Sequence, residues 1–368
     1  MFLAGQAQAN NDHPISGFQD TISDLKFKPS QNNMQPDMLA CTSWDNTVRL
    51  FQIQKNQQNQ VQVQPGPQQQ HKAPVLCCSW GQPNSPHQEL VFTGSCDNTY
   101  NIWDYKTNKS TPIRAHNQPV SCIGSVKLNN GSVNAVVTAS WDKFIKYWDI
   151  RQPQPAMQIQ LPERAYCMDT KGQMLVVGCA DKNFNVYNLN NPQQPVKTCM
   201  TKLKSQPRCV SIMNDLAGFC TGAIEGRVAV EYINPQPKVA ECFAFKCHRD
   251  PQNINGRKMT SVFPVNAISF NAHQGLATAG ADGVICIWDV KNRSKIKAFP
   301  KCPAPSCITS LAFNTSSSMM VYGNSYDWHK GKGGFNQQLQ NTVYVHVVRP
   351  DEVKNQKTGN SFTGGRGW

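Results

Sequence analysis

Apolar and polar residues alternate in short runs along most of the chain, and turn-forming residues separate these runs. The runs "PVNAISF" from Pro264 and "CITSLAF" from Cys307 are examples. Because successive side chains of a strand point to opposite faces of a sheet, a period of two predicts half-buried antiparallel strands. No long segment has the 3.6-residue period of an amphipathic helix. The pattern therefore predicts an all-β protein.

One motif recurs along the chain and precedes a strand each time. It consists of a small residue, any residue, an acidic residue and, two residues later, an alternating run with an aromatic end, as in "SWDKFIKYWD" at Ser140–Asp149. The acidic positions of the seven copies, of which the last is broken, are Asp45, Asp97, Asp142, Asp181, Glu225, Asp282 and Asp327. Their spacing of 39 to 57 residues is typical of four-stranded propeller blades. We predict a single seven-bladed WD-repeat β-propeller over residues 21–349.

The ring of blades has to close, because an open ring exposes an edge of unpaired backbone groups. Within an N-terminal segment of residues 1–20, we expect a strand at His13–Phe18 to pair beside the C-terminal strand Val343–Val348 and close the ring. Four further segments depart from the repeat by composition. They are a Gln-rich, disordered or loosely ordered loop at residues 54–70, a mobile loop at residues 251–261, an insertion in blade seven at residues 329–341 and a flexible basic tail at residues 350–368.

Composition adds an expectation about partners. The formal net charge is +13, which suits an acidic peptide or nucleic acid. The N-terminus lacks the pattern of a secretory signal, so we expect the 15 cysteines to be reduced thiols. They form no CxxC pair, so we predict no metal site. No apolar stretch approaches the roughly 20 residues of a membrane helix, and we expect no membrane partner.

No catalytic motif is present: the chain has no phosphate-binding Gly-rich loop, no HExxH and no GxSxG. We therefore predict a binding platform without a cofactor, not an enzyme. A structural role is the better interpretation of the pairs His71–Asp97 and His116–Asp142, in which the histidine would hold the turn of its blade. Packing between blades is likewise expected for Trp103, Trp148 and Trp288.

The fifth copy of the motif has lost its signature residues. In "TGAIEGRVAVEYINP", Glu225 replaces the aspartate, Glu231 replaces the tryptophan, and Arg227 stands where the third copy has Phe144. An arginine at this strand position needs a carboxylate partner. That partner is either internal, Glu225 or Glu231, or it belongs to a ligand.

Aromatic and basic residues supply candidate binding surfaces. Tryptophans adjoin the acidic turn residue at Trp44, Trp141 and Trp328, where they either pack against a neighbouring blade or bind a partner. Blades five and six are rich in basic residues next to aromatic ones. The set comprises Lys246, His248, Arg249, Lys291, Arg293, Lys295 and Lys297 beside Phe245 and Trp288. Such a set can hold an acidic peptide or single-stranded nucleic acid; the alternative is an ordinary solvated basic rim.

Several motifs carry a resemblance to one family. The stretches "LPERAYCMD" from Leu161, "EGRVAVEYINP" from Glu225, "FKCHR" from Phe245, "PVNAISF" from Pro264 and "NSYDWHKG" from Asn324 together resemble the WD-repeat mRNA export factors of the nuclear pore. The resemblance runs from about Ile22 to Val348. Some of these motifs are shared with the sister family, the kinetochore WD proteins of the spindle checkpoint.

The resemblance implies specific residues and partners. Members of this family bind a nucleoporin's GLEBS motif, whose paired glutamates would meet Arg227 and Lys246 while Trp44 and Trp141 pack against its apolar parts. Single-stranded mRNA would contact a basic rim. That rim comprises Phe245, Arg249, Trp288, Arg293 and Lys295. The expected location is the nucleus and the nuclear envelope at the pore complex, and also the cytoplasm.

Two other functions stay open at this point. One is a checkpoint scaffold at kinetochores that binds the GLEBS motifs of checkpoint kinases. The other is a generic WD adaptor, for example in a ubiquitin ligase. The basic excess favours the export adaptor over the generic adaptor, because contact with RNA gains from positive charge.

Overall fold

A computed structural model describes residues 12–30, 36–58, 60–237, 240–254, 256–304, 307–336 and 339–353. Short β-strands dominate it. In chain order they are β1 (His13–Phe18), β2 (Ile22–Phe27), β3 (Asp37–Ser43), β4 (Thr47–Lys55), β5 (Val61–Gln70), β6 (Val75–Trp80), β7 (Leu90–Ser95), β8 (Thr99–Asp104), β9 (Lys109–Arg114), β10 (Val120–Leu128), β11 (Val133–Ser140), β12 (Phe144–Trp148), β13 (Met157–Gln160), β14 (Ala165–Lys171), β15 (Met174–Cys179), β16 (Asn183–Asn188), β17 (Pro195–Met200), β18 (Pro207–Ile212), β19 (Gly218–Ala223), β20 (Arg227–Tyr232), β21 (Phe243–Lys246), β22 (Arg249–Ile254), β23 (Arg257–Val262), β24 (Val265–Phe270), β25 (Gly275–Gly280), β26 (Ile285–Asp289), β27 (Ser294–Ala298), β28 (Ile308–Phe313), β29 (Met319–Asn324) and β30 (Asn341–Val347). A 3₁₀ turn at Gly331–Gly334 and a one-turn helix α1 at Pro350–Val353 complete the regular structure of these residues.

Seven four-stranded antiparallel sheets form the blades of a propeller, as predicted. In chain order, blades one to five take four consecutive strands each from β2 to β21, and blade six takes β24 to β27. Blade seven has the strand order β1-β30-β29-β28, so the N-terminal strand forms its outer edge. The first strands of successive blades contact one another in a complete cycle, from β2 through β6, β10, β14, β18, β24 and β28 back to β2. The propeller is therefore a closed ring.

The core lies between the blades. Every residue of β19, β25 and β29, the second strands of blades five, six and seven, is buried, because these sheets are covered on both faces by neighbouring blades. Aromatic rings fill the space between blades: Tyr100 packs on Trp148, with 5.2 Å between ring centroids, and Phe184 packs on Phe219 at 5.4 Å. Within the described ranges, no helix is long and apolar enough to cross a membrane.

The alternating strand directions define two ends of the propeller. In each blade, the turn between the second and third strands lies at the same end as the connection from the preceding blade. We call this the upper end. The turns between the first and second strands and between the third and fourth strands lie at the lower end. The repeated acidic positions before β4, β8, β12, β16, β20 and β26 are thus gathered around the upper end.

The Gln-rich segment is not the loose loop predicted for residues 54–70. It forms strand β5, which pairs with β4 from Lys55–Val61 to Thr47–Gln70 and is the outer strand of blade one. Val61 and Val63 pack against the apolar core between blades seven and one, so the alternation of "VQVQ" is a strand signal despite the polar composition. Pro65–Pro67 adjoin a register shift on this edge strand, where a missing backbone N–H is tolerated.

Two other predicted segments also differ from the structure. Residues 251–254 and 257–261 belong to a hairpin between blades five and six, in which β22 and β23 pair from Arg249–Val262 to Ile254–Arg257. The tail does not begin at residue 350, because α1 packs on the propeller and buries Glu352 and Val353. Residues 354–368, and the first part of the N-terminal segment at residues 1–11, lie outside the described residues.

Candidate functional site

Two blades contain a complete histidine–aspartate network at the upper end. In blade three, His116 Nδ1 lies 2.9 Å from Asp142 Oδ2 and its Nε2 lies 2.8 Å from Thr138 Oγ1, which also accepts from Trp148 Nε1 at 2.8 Å. Burial lowers the pKa of His116, so at neutral pH an uncharged ring donates from Nδ1 to the carboxylate. The Thr138 hydroxyl is fully buried and His116 is 2% exposed, so no substrate could reach this network, which supports the structural role predicted for the pair.

Blade six repeats the network with His248. Its Nδ1 lies 2.9 Å from Asp282 Oδ1, and its Nε2 and Trp288 Nε1 each lie 2.9 Å from Thr278 Oγ1. The sequence predicts His248 as one of the basic surface residues of blades five and six. Its side chain is instead buried, and it holds the turn of blade six.

Blade two contradicts the hydrogen bond predicted between His71 and Asp97. The nearest nitrogen and oxygen of the two side chains are 3.9 Å apart. On the other side of the ring, His71 Nε2 lies 2.8 Å from Thr93 Oγ1 and 3.3 Å from Asn101 Nδ2. Trp103 Nε1 donates to Asn108 Oδ1 at 3.2 Å and not to Thr93. Burial lowers the pKa of His71 to about 4, so this histidine is uncharged at neutral pH.

The structure brings Arg227 and Lys246 together at the upper end of blade five. They are directly opposite each other on β20 and β21, with Lys246 exposed and Arg227 half-buried. Like charges opposite each other in a sheet repel, so nothing in the fold of the blade calls for this pair. The position is suited to a ligand that brings negative charge.

Both internal glutamates that could have paired with Arg227 are engaged elsewhere. Glu225 Oε1 accepts from Lys204 N at 2.9 Å, and Glu231 is buried, with its Oε1 3.4 Å from Lys202 N. Among the described residues, neither Arg227 nor Lys246 forms an ion pair with a carboxylate. Neither of the two internal glutamates is therefore the ion-pair partner of Arg227 in this structure.

The β22–β23 hairpin adjoins this cation pair through the turn of blade five. Arg249 Nη2 donates to the carbonyl oxygen of Glu225 at 3.0 Å. Gly226 has φ 58°, and a Cβ atom there would stand 2.9 Å from Val262 Cγ1 and 2.9 Å from the Cys247 carbonyl oxygen. Arg249 was predicted for the RNA rim, but it is half-buried and lies beside the Arg227 turn.

Apolar side chains stand on several upper turns. Trp44 of blade one is 43% exposed, and Trp141 of blade three is half-buried. Ile224 takes the same turn position in blade five. Its N–H donates to a carbonyl oxygen in the connection from the preceding blade, and the N–H of Trp44 does the same in blade one. Ile224 is 42% exposed and was missed, although an apolar residue where two other copies have tryptophan is a readable signal.

The predicted aromatic rim is largely internal. Phe245 is 2% and Trp288 is 6% exposed, and their rings pack between blades five and six with centroids 5.0 Å apart. Neither ring leaves an open face on which a base could stack, which corrects the prediction that they form an accessible rim. The packing role also predicted for Trp288 fits its burial.

Two basic residues of the rim lie over aromatic rings of blades five and six. The Arg293 guanidinium lies 4.3 Å from the ring centroid of Phe243, and Lys295 Nζ lies 5.9 Å from that of Trp288. Phe243 is half-buried and was missed, although it is two residues from Phe245 on the same strand face. Because Phe243 and Lys246 mark the two ends of β21, about 10 Å of strand separates the rim from the cation pair.

Seven blades, with buried His–Asp–Thr–Trp networks in two of them, define a WD-repeat β-propeller. The family model for the WD domain, G-beta repeat, matches residues 11–52, 63–104, 107–149 and 257–289. Among solved structures, "Structure of U3-55K" has a TM-score of 0.72 at 15% identity, covering 93% of this chain and 99% of that chain. "Crystal structure of RRP9 WD40 repeats" also has a TM-score of 0.72, at 16% identity, covering 93% and 98%. At these identities the likeness shows the fold alone.

The curated relatives are more specific. An mRNA export factor of Danio rerio is 39% identical over 331 residues, which are 89% of this chain and 86% of the relative. The mRNA export factor GLE2 of Chaetomium thermophilum is 38% identical over 338 residues, or 91% and 90% of the two chains. The mRNA export factor of Mus musculus is 37% identical over 354 residues, or 93% and 92%. This chain belongs to the mRNA export factor family of WD-repeat proteins.

Proposed function

We propose that this protein is a non-enzymatic mRNA export adaptor of the nuclear pore complex, present in the nucleus and the cytoplasm. It binds an acidic nucleoporin segment of the GLEBS type at the upper end of blade five. It contacts single-stranded RNA through the basic residues between blades five and six. The names of the relatives support the role in export, and the charge distribution supports the two contacts.

The cation pair Arg227–Lys246 is the observation that carries this proposal. A glutamate that accepts two hydrogen bonds from the Arg227 guanidinium would satisfy a half-buried cation that has no carboxylate partner among the described residues. A second glutamate would meet Lys246 on the neighbouring strand. Paired glutamates in one peptide segment therefore match the two side chains in number and in charge.

Apolar groups next to the cations favour a peptide over a small anion. Ile224 and Val262 are each 42% exposed: Ile224 is in the turn that leads into Arg227, and Val262, at the base of the hairpin, lies beside that turn. Trp44 offers a further partly exposed ring at the upper end of blade one. A central charge contact with apolar contacts around it is the usual arrangement of a protein-binding site.

The test compares two charge reversals of equal size. Arg227→Glu should weaken binding of a fluorescent GLEBS peptide by about 30-fold or more, because truncating one partner of a partly buried charge pair costs about 2 kcal/mol or more. Lys109→Glu is the matched control, since Lys109 is an exposed lysine on the outer strand of blade two. Its peptide affinity should stay within about twofold of the wild-type value, and fluorescence anisotropy titration at constant salt measures both.

Equal affinities for the Arg227→Glu variant and the wild-type protein would remove Arg227 from the site. An equal loss in both variants would show a non-specific effect of net charge. Circular dichroism before and after the titration verifies that both variants are folded.

The RNA contact rests on Arg293 and Lys295. The side chain of Arg293 is 46% exposed, and its stacking on Phe243 fixes one face of the guanidinium while its edge can meet a phosphate. Glu241 is 3.5 Å away and exposed, so this ion pair contributes little and can be exchanged. With Phe245 and Trp288 buried, phosphate contacts and not base stacking would dominate binding at this rim.

A further inference from the structure

Blade seven departs from the other blades at its upper turn. In blade three, β11 ends at Ser140 and the next strand begins at Phe144, whereas in blade seven β29 ends at Asn324 and β30 begins only at Asn341. The N–H of Ser325 bonds to the carbonyl oxygen of Cys307 at 2.9 Å, just as Trp141 bonds to Pro119 in blade three. Ser325 thus takes the place of Trp141. Asp142 directly follows Trp141, whereas Asp327 is two residues after Ser325, so Asp327 cannot be the tight-turn aspartate that the repeat predicted.

Three potential metal ligands converge in this altered turn. The ligand atoms of Cys307, Asp327 and His329 all lie within 4.8 Å of one another. His329 Nδ1 is 3.9 Å from Cys307 Sγ and bonds to Asp327 Oδ1. Trp328 has φ 58°, a backbone conformation that a bulky residue rarely adopts, and it turns the chain between the aspartate and the histidine.

The same three residue types occur in cysteine hydrolases, but this geometry excludes that relay. A catalytic histidine bonds to the carboxylate through one ring nitrogen and faces the nucleophile with the other. Here the sulfur and the carboxylate both face Nδ1 of His329. One nitrogen cannot be oriented by the carboxylate and take the thiol proton at the same time, whereas convergence of all three atoms on one point is what a metal ion requires.

We propose that Cys307, Asp327 and His329 form a binding site for Zn²⁺. A thiolate, an imidazole and a carboxylate are all zinc ligands, and the sulfur disfavours Mg²⁺ and Ca²⁺. Zinc is tetrahedral, so water takes the fourth position on the exposed side of His329. On binding, the thiol proton of Cys307 passes to solvent, and the neutral imidazole keeps its proton on Nε2.

The surroundings of the three residues support this assignment. Asn266 Nδ2 donates to Asp327 Oδ2 at 2.8 Å and orients the carboxylate, as partners of metal ligands commonly do. Asn266 is 9% exposed, so it holds the carboxylate from the buried side of the turn. A bound ion would also fix the loop on which Trp328 stacks against Phe335, with ring centroids 5.2 Å apart.

Cobalt titration of the full chain tests the proposal. Protein freed of metal by a chelator and kept reduced is titrated with Co²⁺, which reports a thiolate ligand by a charge-transfer band and tetrahedral geometry by intense visible bands. We expect both signals to saturate at one equivalent and Zn²⁺ to displace them. Cys307→Ser should abolish the charge-transfer band, and His329→Gln, on the exposed side, should weaken Co²⁺ and Zn²⁺ binding at least about 10-fold.

Matched controls separate this site from the other thiols. Cys96→Ser and His87→Gln, both in blade two, should bind like the wild-type protein. The proposal is overturned if the wild-type chain gives no charge-transfer band, or if the Cys307→Ser and His329→Gln variants titrate like the wild type. Thermal unfolding gives a second readout, since Zn²⁺ should raise the Tm of the wild type and both controls but not that of Cys307→Ser.

Discussion

Arg227 and Lys246 are two residues that the fold of their blade does not require. Two cations opposite each other cost the free protein up to about 1 kcal/mol. The sequence could point to Arg227, because this arginine stands where the aligned copies have an uncharged residue, most often threonine or an apolar one. The sequence could not show which carboxylate pairs with Arg227. Glu225 and Glu231 are both held by backbone N–H groups of a neighbouring loop, at Lys204 and Lys202.

The rim illustrates the limit of residue-level prediction. Phe245 and Trp288 lie in alternating strands, where the pattern shows that two residues share a face but not whether another blade covers that face. Trp288 is buried because it bonds to Thr278 in a network completed by His248, which is 40 residues earlier in the chain. Exposed lysines and arginines beside these rings could be read from the sequence more safely, because such side chains are seldom buried.

At the residue scale, we predict that Arg293→Glu combined with Lys295→Glu weakens RNA binding and flattens its salt dependence. Loss of two phosphate contacts should reduce the slope of log K against log salt by about 1.4 for a single strand. Filter binding of a single-stranded RNA over a series of salt concentrations measures the slope. The control is Lys72→Glu with Lys109→Glu, which makes the same charge change on blade two; the same slope change there would assign the effect to net charge.

The turn of blade five shows how an element constrains its neighbour. Asn46, Lys143 and Lys182 take the corresponding turn position in other blades, each with φ 69°, so positive φ alone does not require glycine. Gly226 is required because the base of the β22–β23 hairpin approaches the turn closely. The hairpin could not be predicted from its polar composition, because its pairing is fixed by ends that are anchored in blades five and six.

At the element scale, we predict that Gly226→Asn destabilises the protein by about 1–3 kcal/mol, the usual cost of overpacking. Asparagine accepts positive φ, so the loss would come from the contact of its Cβ with the hairpin base. Gly172→Asn is the control, since Gly172 has φ 54° and meets only the tip of Leu216 at 3.3 Å. Urea unfolding should show a clearly smaller loss for Gly172→Asn; equal losses would contradict the role of the hairpin.

The whole molecule is held closed where its two ends meet. Strand β1 pairs with β30, and His346 of β30 lies 2.6 Å from Asp12 Oδ1 and 3.0 Å from Glu352 Oε2. Burial alone would lower the pKa of His346, but the hydrogen bonds to these two carboxylates outweigh it and raise this pKa to about 9. The ring-closing strand could be predicted from the sequence, because a propeller has to close. The ion cluster of His346, Asp12 and Glu352 could not, because it depends on α1, and the sequence predicted a flexible tail there.

At the scale of the whole molecule, this cluster predicts a pH dependence of stability. Because the pKa of His346 is raised in the folded state, its contribution is complete below the ordinary histidine pKa of about 6.5 and is lost as the pH rises through 9. The free energy of unfolding of the wild type minus that of His346→Gln should therefore be largest near pH 6 and shrink above pH 9. A difference that stays constant over this range in urea unfolding would rule out a charged His346.

The most direct test of the central claim is a double-mutant cycle between Arg227 and the paired glutamates of a GLEBS peptide. Arg227→Gln and each peptide Glu→Gln change are measured singly and together by calorimetric titration. We predict a coupling free energy of about 1.5 kcal/mol or more between Arg227 and one glutamate, as measured for close charge pairs across interfaces. Additive effects, with coupling below about 0.5 kcal/mol for both glutamates, would mean that Arg227 does not meet the peptide.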